Sequence, residues 1–332
     1  MDKQSDQITD IFGRKHDYLR ISLTDRCNLR CTYCMPEEGI ALRPKKEFMT
    51  SEEVIQIAST FVELGVKKIR LTGGEPLLKK DFINILNQLS NLGVEISITT
   101  NGVLLHKFFD ALLTAGVNNI NISLDTLKQN QFNLLTRRDY FNIVYQNIEK
   151  AIELFDEIKL NIVLIKGKND DEIKDFIELT KYKFLNIRFI EYMPFDGNKW
   201  RKDLTVTQQD IDTILSSEYG VSCLKLKDEA HSTSKNFKIE NYIGSFGFIN
   251  TITNPFCDSC NRIRLTADGK LKNCLFSSNE MNLLEPLRKG EEIKSLILKN
   301  ILAKHQKHGG INSFEKDSHI YNKNRTMIAI GG

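Results

Sequence analysis

Between residues 18 and 190 the chain repeats one unit, a short apolar run followed by a longer amphipathic one, and that repetition leaves few folds open. Strand-like segments at Tyr18–Leu23, Val66–Leu71, Val94–Thr99, Val117–Leu124, Ile158–Ile165 and Leu185–Ile190 alternate with helical patterns at Ser51–Leu64, Lys80–Leu92, Val103–Ala115, Asn142–Phe155 and Asp170–Tyr182. The first of these helices has Ser51 as its expected N-cap. Three helices share one stop, since Leu64-Gly65-Val66, Leu92-Gly93-Val94 and Ala115-Gly116-Val117 each place a glycine between helix and strand. Strands alternating with helices of this length imply βαβ units and a parallel sheet. Right-handed crossovers curl such a sheet toward a barrel, and six units instead of eight leave it open on one side. The expectation is an α/β fold, an incomplete (β/α)6 TIM-type barrel over residues 1–200. From Trp200 the rhythm fades: Leu204–Glu218 reads as a helix and Val221–Lys227 and Phe237–Ile249 as strands. Residues 201–332 are expected to form a C-terminal domain that covers the open side.

Parallel α/β sheets carry their chemistry at the carboxyl ends of the strands. After the first strand comes Cys27-Asn28-Leu29-Arg30-Cys31-Thr32-Tyr33-Cys34, three thiols within eight residues. A closed zinc site or an ordinary iron–sulfur cluster takes four protein ligands. Three thiolates on a [4Fe–4S] cube leave one iron open to an exogenous molecule, and the alternative is half of a zinc site completed from elsewhere. The second strand ends in Thr72-Gly73-Gly74-Glu75-Pro76, whose glycines let backbone approach a ligand and whose Glu75 could accept from a ligand ammonium; a tight βα turn is the alternative. The remaining ends are Thr99-Thr100-Asn101-Gly102, Ser123-Leu124-Asp125, Lys166-Gly167 and Glu191-Tyr192-Met193-Pro194. Each is polar or glycine-bearing, which marks one rim as functional.

A second group of three thiols, Cys257, Cys260 and Cys274, has a hairpin between its last two members: Arg262–Thr266, the Asp268-Gly269 turn, and Lys270–Cys274. Zinc competes more seriously here, because CxxC plus a hairpin also builds zinc ribbons. His305 and His308 sit in a Lys-rich stretch that reads as a solvated helix face. Arg262 and Arg264 share one strand face. With Arg20, Arg70, Lys159 and Arg188 they aim several permanent charges inward, which is costly unless an anion meets them.

Seven cysteines in two groups of three plus Cys223 argue for metal thiolates in a reducing, cytoplasmic compartment. The net charge of +3 is too small for general affinity to nucleic acid or membranes, no apolar run reaches the length of a membrane helix, and residues 1–10 have no secretory or transit character.

Cys27-x3-Cys31-x2-Cys34, Gly73-Gly74-Glu75-Pro76 and the six βα units resemble the radical S-adenosylmethionine (SAM) superfamily. Thr24–Asn28, Arg70–Pro76, Arg188–Met193, the Cys257-x2-Cys260-Asn261-Arg262-x-Arg264 segment with Cys274, and the terminal Gly331-Gly332 are similar to the MoaA family within it. These are the GTP 3′,8-cyclases of molybdenum-cofactor biosynthesis. The resemblance implies two [4Fe–4S] clusters, one on Cys27, Cys31 and Cys34 with SAM on its open iron, the other on Cys257, Cys260 and Cys274 in an auxiliary cluster domain. Tyr33, Gly74, Glu75, Ser123 and Met193 would contact SAM. Arg20, Arg70, Thr99, Lys159, Arg188, Arg262 and Arg264 would surround GTP, and Gly331 and Gly332 would reach into the site. Reductive cleavage of SAM would give a 5′-deoxyadenosyl radical that takes the ribose 3′ hydrogen, after which C3′ attacks guanine C8 and gives (8S)-3′,8-cyclo-7,8-dihydroguanosine 5′-triphosphate. The implied partners are a flavodoxin- or ferredoxin-type reductant, cyclic pyranopterin monophosphate synthase as product acceptor, and a second copy of the chain. Two other readings stand beside this one: a radical SAM enzyme acting on a peptide, and a non-catalytic iron–sulfur or zinc protein.

Overall fold

The computed structural model describes residues 8–36, 38–40, 43–314 and 324–331. Six strands run parallel through the middle of its sheet: β1 (Tyr18–Ser22), β2 (Lys68–Thr72), β3 (Glu95–Thr100), β4 (Asn119–Ser123), β5 (Glu157–Leu164) and β6 (Leu185–Glu191). The helices between them are α1 (Ser51–Glu63), α2 (Phe82–Ser90), α3 (Phe109–Thr114), α4 (Gln129–Thr136), α5 (Phe141–Leu154) and α6 (Ile173–Glu178). Helix α1 starts one residue earlier than expected, with Thr50 as its cap in a capping box with Glu53. Gly65, Gly93 and Gly116 all take positive φ, as their places at helix ends require.

Alternation along each strand divides the side chains. Leu19, Ile21, Ile69, Leu71, Ile96, Ile98, Ile120, Ile122, Ile158, Leu160 and Ile187 are buried in one continuous core with Val54, Phe61, Leu86 and Val144 of the helices. The intervening positions, among them Arg20, Arg70, Thr99, Asn121, Lys159, Asn161 and Arg188, face the other way and line a cavity. A complete barrel of this kind is filled by branched apolar side chains. Polar inward positions keep this one hollow.

The remainder of the chain covers the open side by lengthening the sheet at both edges. Helix α7 (Gln208–Glu218) leads to β7 (Cys223–Lys225), β8 (Lys235–Ile239) and β9 (Ser245–Ile249), and β9 pairs parallel to β6. Strand β10 (Arg262–Leu265) pairs parallel to β1 and is followed antiparallel by β11 (Lys270–Lys272) and β12 (Met281–Asn282). Helices α8 (Leu284–Arg288), α9 (Lys294–Leu302) and α10 (Met327–Ile330) complete the described chain. The twelve strands form one sheet in the order β12-β11-β10-β1-β2-β3-β4-β5-β6-β9-β8-β7.

Three local expectations are corrected. Phe237–Ile249 is not one strand but the hairpin β8–β9, because Asn241 takes positive φ and Gly244 lies where a Cβ would stand 2.4 Å from the Leu185 carbonyl oxygen. Helix α4 forms at Gln129–Thr136, where the sequence pattern predicts no element. The stretch around His305 is not a helix face: α9 ends at Leu302, and Lys304 beyond it is buried.

Candidate active site

One cavity of about 490 Å³ is lined by all six grouped cysteines, three from each set. That volume falls within the roughly 300–1,000 Å³ of small-molecule sites. Cys27, Cys31 and Cys34 ride on the loop after β1, which is tied down from several sides. Arg30 and Thr32 donate backbone hydrogen bonds to Thr136 and Leu135 at the end of α4. Asn101 donates through Nδ2 to Asn28 Oδ1 at 2.7 Å and to Cys27 Sγ at 3.5 Å. Tyr33 donates to Asp125 at 2.8 Å, and Asp125 also accepts from the Val163 amide at 2.9 Å.

Gly73 and Gly74 let the two strand-end loops touch. The Gly74 and Glu75 amides donate to the Thr24 and Arg26 carbonyls at 2.6 and 2.7 Å, and a Cβ on Gly74 would lie 2.3 Å from the Arg26 oxygen. The glycines thus serve a backbone contact, whatever ligand they also meet. Glu75 is corrected as a ligand acceptor. It is 1% exposed, does not line the cavity, and spends both oxygens on the Leu77 amide, the Thr100 hydroxyl and the Asn101 amide. Burial raises its carboxyl to about 7 against those bonds.

The second group stands across the cavity. Arg14, itself paired with Asp10 at 2.6 Å, donates to the Cys257 carbonyl at 2.9 Å. Lys304 reaches Cys260 Sγ at 3.7 Å and the Arg262 carbonyl at 3.0 Å. Burial raises the Cys260 thiol, but the charges of Arg262 and Lys304 outweigh it and bring it down to about 6. In the first group the balance is reversed: burial, then the Glu75 charge, pushes Cys27 up to about 11.

Between the two groups the wall is cationic. Arg264 pairs in register with Arg20, and Arg20 with Arg70, so three guanidinium-bearing residues lie side by side on neighbouring strands. Lys159 and Arg188 extend the row on β5 and β6. Burial, and then neighbouring cations, lower Arg188 and Arg264 to about 10; burial followed by Arg188 takes Lys159 to about 8. Two acidic groups of the wall are engaged elsewhere, Asp125 with Tyr33 and Glu191 with the Ile252 and Thr253 amides, while Glu157 pairs with Lys159 and Glu229 lines the cavity and acts on Arg188. Thr99 Oγ1, Asn121 Oδ1, Asn161 Oδ1, Arg262 Nη2 and Asn273 Oδ1 are buried on this wall without a partner. Each such group costs about 1–3 kcal/mol, and together they rival the whole net stability of a domain, about 5–15 kcal/mol. The cavity is therefore built for a polar, anionic occupant.

Gly331 lies against Ser22 and Thr72, the last residues of β1 and β2, and its carbonyl accepts from Arg264 at 2.8 Å. Gly332 falls outside the described residues. Among the described residues no helix is long and apolar enough to cross a membrane.

The family models for the Radical SAM superfamily and for Molybdenum Cofactor Synthesis C match residues 21–180 and 185–310. The chain is 46% identical over 335 residues to the mitochondrial GTP 3′,8-cyclase of Arabidopsis thaliana, covering 99% of this chain and 84% of that protein. It is 43% identical over 337 residues to the GTP 3′,8-cyclase of Peptoclostridium acidaminophilum, each covered in full. The chain belongs to the GTP 3′,8-cyclase family. It spans about half of some longer curated relatives, for example 51% of Molybdenum cofactor biosynthesis protein 1 of Mus musculus, to which it is 46% identical over 98% of its own length. A crystal structure of Streptococcus suis SuiB bound to S-adenosylmethionine matches with a TM-score of 0.55 at 17% identity, covering 92% of this chain and 69% of that one. At that identity it shares the fold.

This family binds iron–sulfur clusters and SAM, and the donor set fits them. All seven cysteines are free. Among the described residues no three acidic, histidine or cysteine groups close around a point as a single ion demands. Each trio of soft thiols instead shares a wall of the larger cavity, as a cube several ångströms across requires.

Sequence reasoning passed over several cavity groups of this family member. Asn121, Asn161 and Asn273 carry no motif, and only strand alternation could have singled out the first two. Lys304, which is not in the lining but reaches Cys260, was hidden by its Lys-rich surroundings. The stretch Glu229–Thr233, which also lines the cavity, offered no pattern at all.

Proposed function

We propose that the chain is a radical SAM GTP 3′,8-cyclase acting at the first step of molybdopterin cofactor biosynthesis. The observation that carries this reading is the row of cations Arg264, Arg20, Arg70, Lys159 and Arg188 between two trios of cysteines in one cavity. Cys27, Cys31 and Cys34 would hold the cluster that binds SAM, with Tyr33, Gly74, Ser123 and Met193 around SAM. Cys257, Cys260 and Cys274 would hold the second cluster, facing the guanine. SAM held there would supply carbon-radical chemistry toward the ribose 3′ hydrogen of GTP.

The residues of the chain do the placing. Arg262, Arg264, Arg20 and Arg70 meet the triphosphate, Lys159, Arg188 and Thr99 the rest of the nucleotide, and the Tyr33–Asp125 bond fixes the ring that borders SAM. Burial of these donors makes each charge-assisted contact worth about 1.5–3 kcal/mol. The barrel wall and the C-terminal cover together surround the cavity and would limit water at the bound substrate. Residues 1–200 act as the barrel and 201–332 as the auxiliary cluster domain. The setting is a reducing cytoplasm, where a flavodoxin- or ferredoxin-type protein supplies electrons, cyclic pyranopterin monophosphate synthase takes the product, and the chain pairs with a second copy.

Anaerobic reconstitution is expected to give about eight irons per chain, four in each cluster, and GTP is expected to be required for coupled 5′-deoxyadenosine formation under reductant. About four irons, or zinc in the second group, would overturn the two-cluster assignment. Turnover with a peptide but not with GTP would overturn the substrate. Arg262→Ala and Arg264→Ala are each expected to weaken GTP binding roughly 10- to 150-fold while leaving uncoupled SAM cleavage.

A further inference from the structure

The segment that ends at Gly331 is clamped at its root by charge. Arg325 donates to both oxygens of Asp268, at 2.7 and 2.9 Å, and to Glu280 at 2.6 Å. Asp268 sits in the β10–β11 turn and accepts further bonds from Thr266 at 2.6 Å and Arg43 at 2.9 Å. The preceding residue, Asn324, accepts from the buried ammonium of Lys272 at 3.0 Å and donates to the Leu275 carbonyl at 3.0 Å. Two consecutive residues therefore grip the hairpin that carries Arg264 on one strand and leads to Cys274 from the other.

Beyond the clamp, α10 buries Ile330 against Phe195 and Phe276. Gly331 then turns with φ +86°, in a slot where a Cβ would lie 2.7 Å from Thr72 Oγ1 and 2.8 Å from Ser22 Cβ. Its carbonyl takes one N–H of Arg264. Arg264 stands in register beside Arg20, another cation, which repels it. The Gly331 carbonyl gives the Arg264 guanidinium one fixed partner. Arg325 itself does not line the cavity. A bidentate guanidinium–carboxylate pair sets orientation as well as distance, so the root of the arm determines where the carbonyl ends up.

We propose that Arg325 is a positioning residue: paired with Asp268, it fixes the C-terminal arm so that the Gly331 carbonyl holds Arg264 in place for an anionic substrate. The proposal rests on the reading of the cavity as a GTP site.

The test uses reconstituted protein, with GTP affinity measured by equilibrium dialysis without turnover, alongside KM, kcat and iron content. Arg325→Ala is expected to raise the GTP dissociation constant and KM about tenfold, the loss of roughly one charge-assisted contact at Arg264, with kcat at saturating GTP changed less and iron content unchanged. Arg325→Lys is expected to fall between Arg325→Ala and the parent. Combined with Gly331→Ala, which spoils the same slot, Arg325→Ala is expected to add little, because both act on one contact. Arg288→Ala removes the ion pair with Glu53 elsewhere on the surface and is expected to leave GTP affinity unchanged. An Arg325→Ala protein that binds GTP as the parent does, or a double variant whose loss is the full product of the single losses, overturns the proposal. Should Arg325→Ala not fold, Arg325→Lys decides alone, and parental affinity in it is the overturning result. A parent protein that fails to bind GTP sinks the substrate reading instead.

Discussion

Glu75 sits in a motif that invites a ligand role, yet its carboxylate supports the loop beneath the thiols. It accepts from Leu77, Thr100 and Asn101, and Asn101 in turn donates to Cys27. Glu75→Gln would turn an amide N–H₂ toward donors on one side, so it is expected to destabilise the fold by about 1–3 kcal/mol and to reduce iron in the first cluster. Chemical denaturation and iron analysis check both. His16 is a second residue whose chemistry is set by packing. Burial, then Lys304 and Arg14, lower its imidazole to about 4, although the Asp10 carboxylate accepts from its Nε2–H at 3.0 Å. The unfolded chain takes up that proton near the ordinary value of 6.5 while the folded one does not. Stability from this group is thus complete above pH 6.5 and falls as pH drops toward 4, by up to about 3 kcal/mol. Denaturation midpoints at pH 7.5 and pH 5 should diverge more in the parent than in His16→Gln; equal divergence would refute the assignment to His16. The charged and sulfur-bearing site residues were legible because their chemistry is rare and their spacing tight. Asn121, Asn161 and Lys304 were not, because ordinary polar residues acquire a role only through what folding sets beside them.

At the scale of elements, the loop after β1 is held from both flanks, by the end of α4 on one and by Gly73-Gly74 on the other. Gly74→Ala would force the Arg26 carbonyl away from a Cβ placed at 2.3 Å. The variant is expected to lose about half of its iron, the first cluster's share, while the second remains; an unchanged iron count would show that the two loops can part without harm. The hairpin from Arg262 to Cys274 could be read in the sequence because Asp268-Gly269 announces its turn. The β8–β9 hairpin could not, since Glu240-Asn241 is a weaker turn signal than Asp-Gly. Helix α4 is only eight residues long, too short for its apolar spacing to stand out from a loop.

At the scale of the whole molecule, the βα period disclosed the barrel, and the polar residues on the inward face disclosed its hollow. The way the last third of the chain joins was hidden, because pairings such as Tyr18 with Arg262 and Arg188 with Gly247 depend on contacts remote in sequence. They make both edges of the barrel into interior strands. A fragment of residues 1–200 would bare β1 and β6, and such edges template association. It is expected to run as aggregates in size-exclusion chromatography, whereas the full chain elutes as discrete species.

The same pairing sets a timetable. The ribosome makes β1 first and β10 far later, at roughly 5–20 residues per second, so the first strand waits on the order of tens of seconds for its second neighbour. Through that interval the nascent barrel stays unsealed beside the Cys27 loop. Iron and sulfide delivered during synthesis would meet an open door, and delivery after release would have to pass the strands added on either side of β1 and β6.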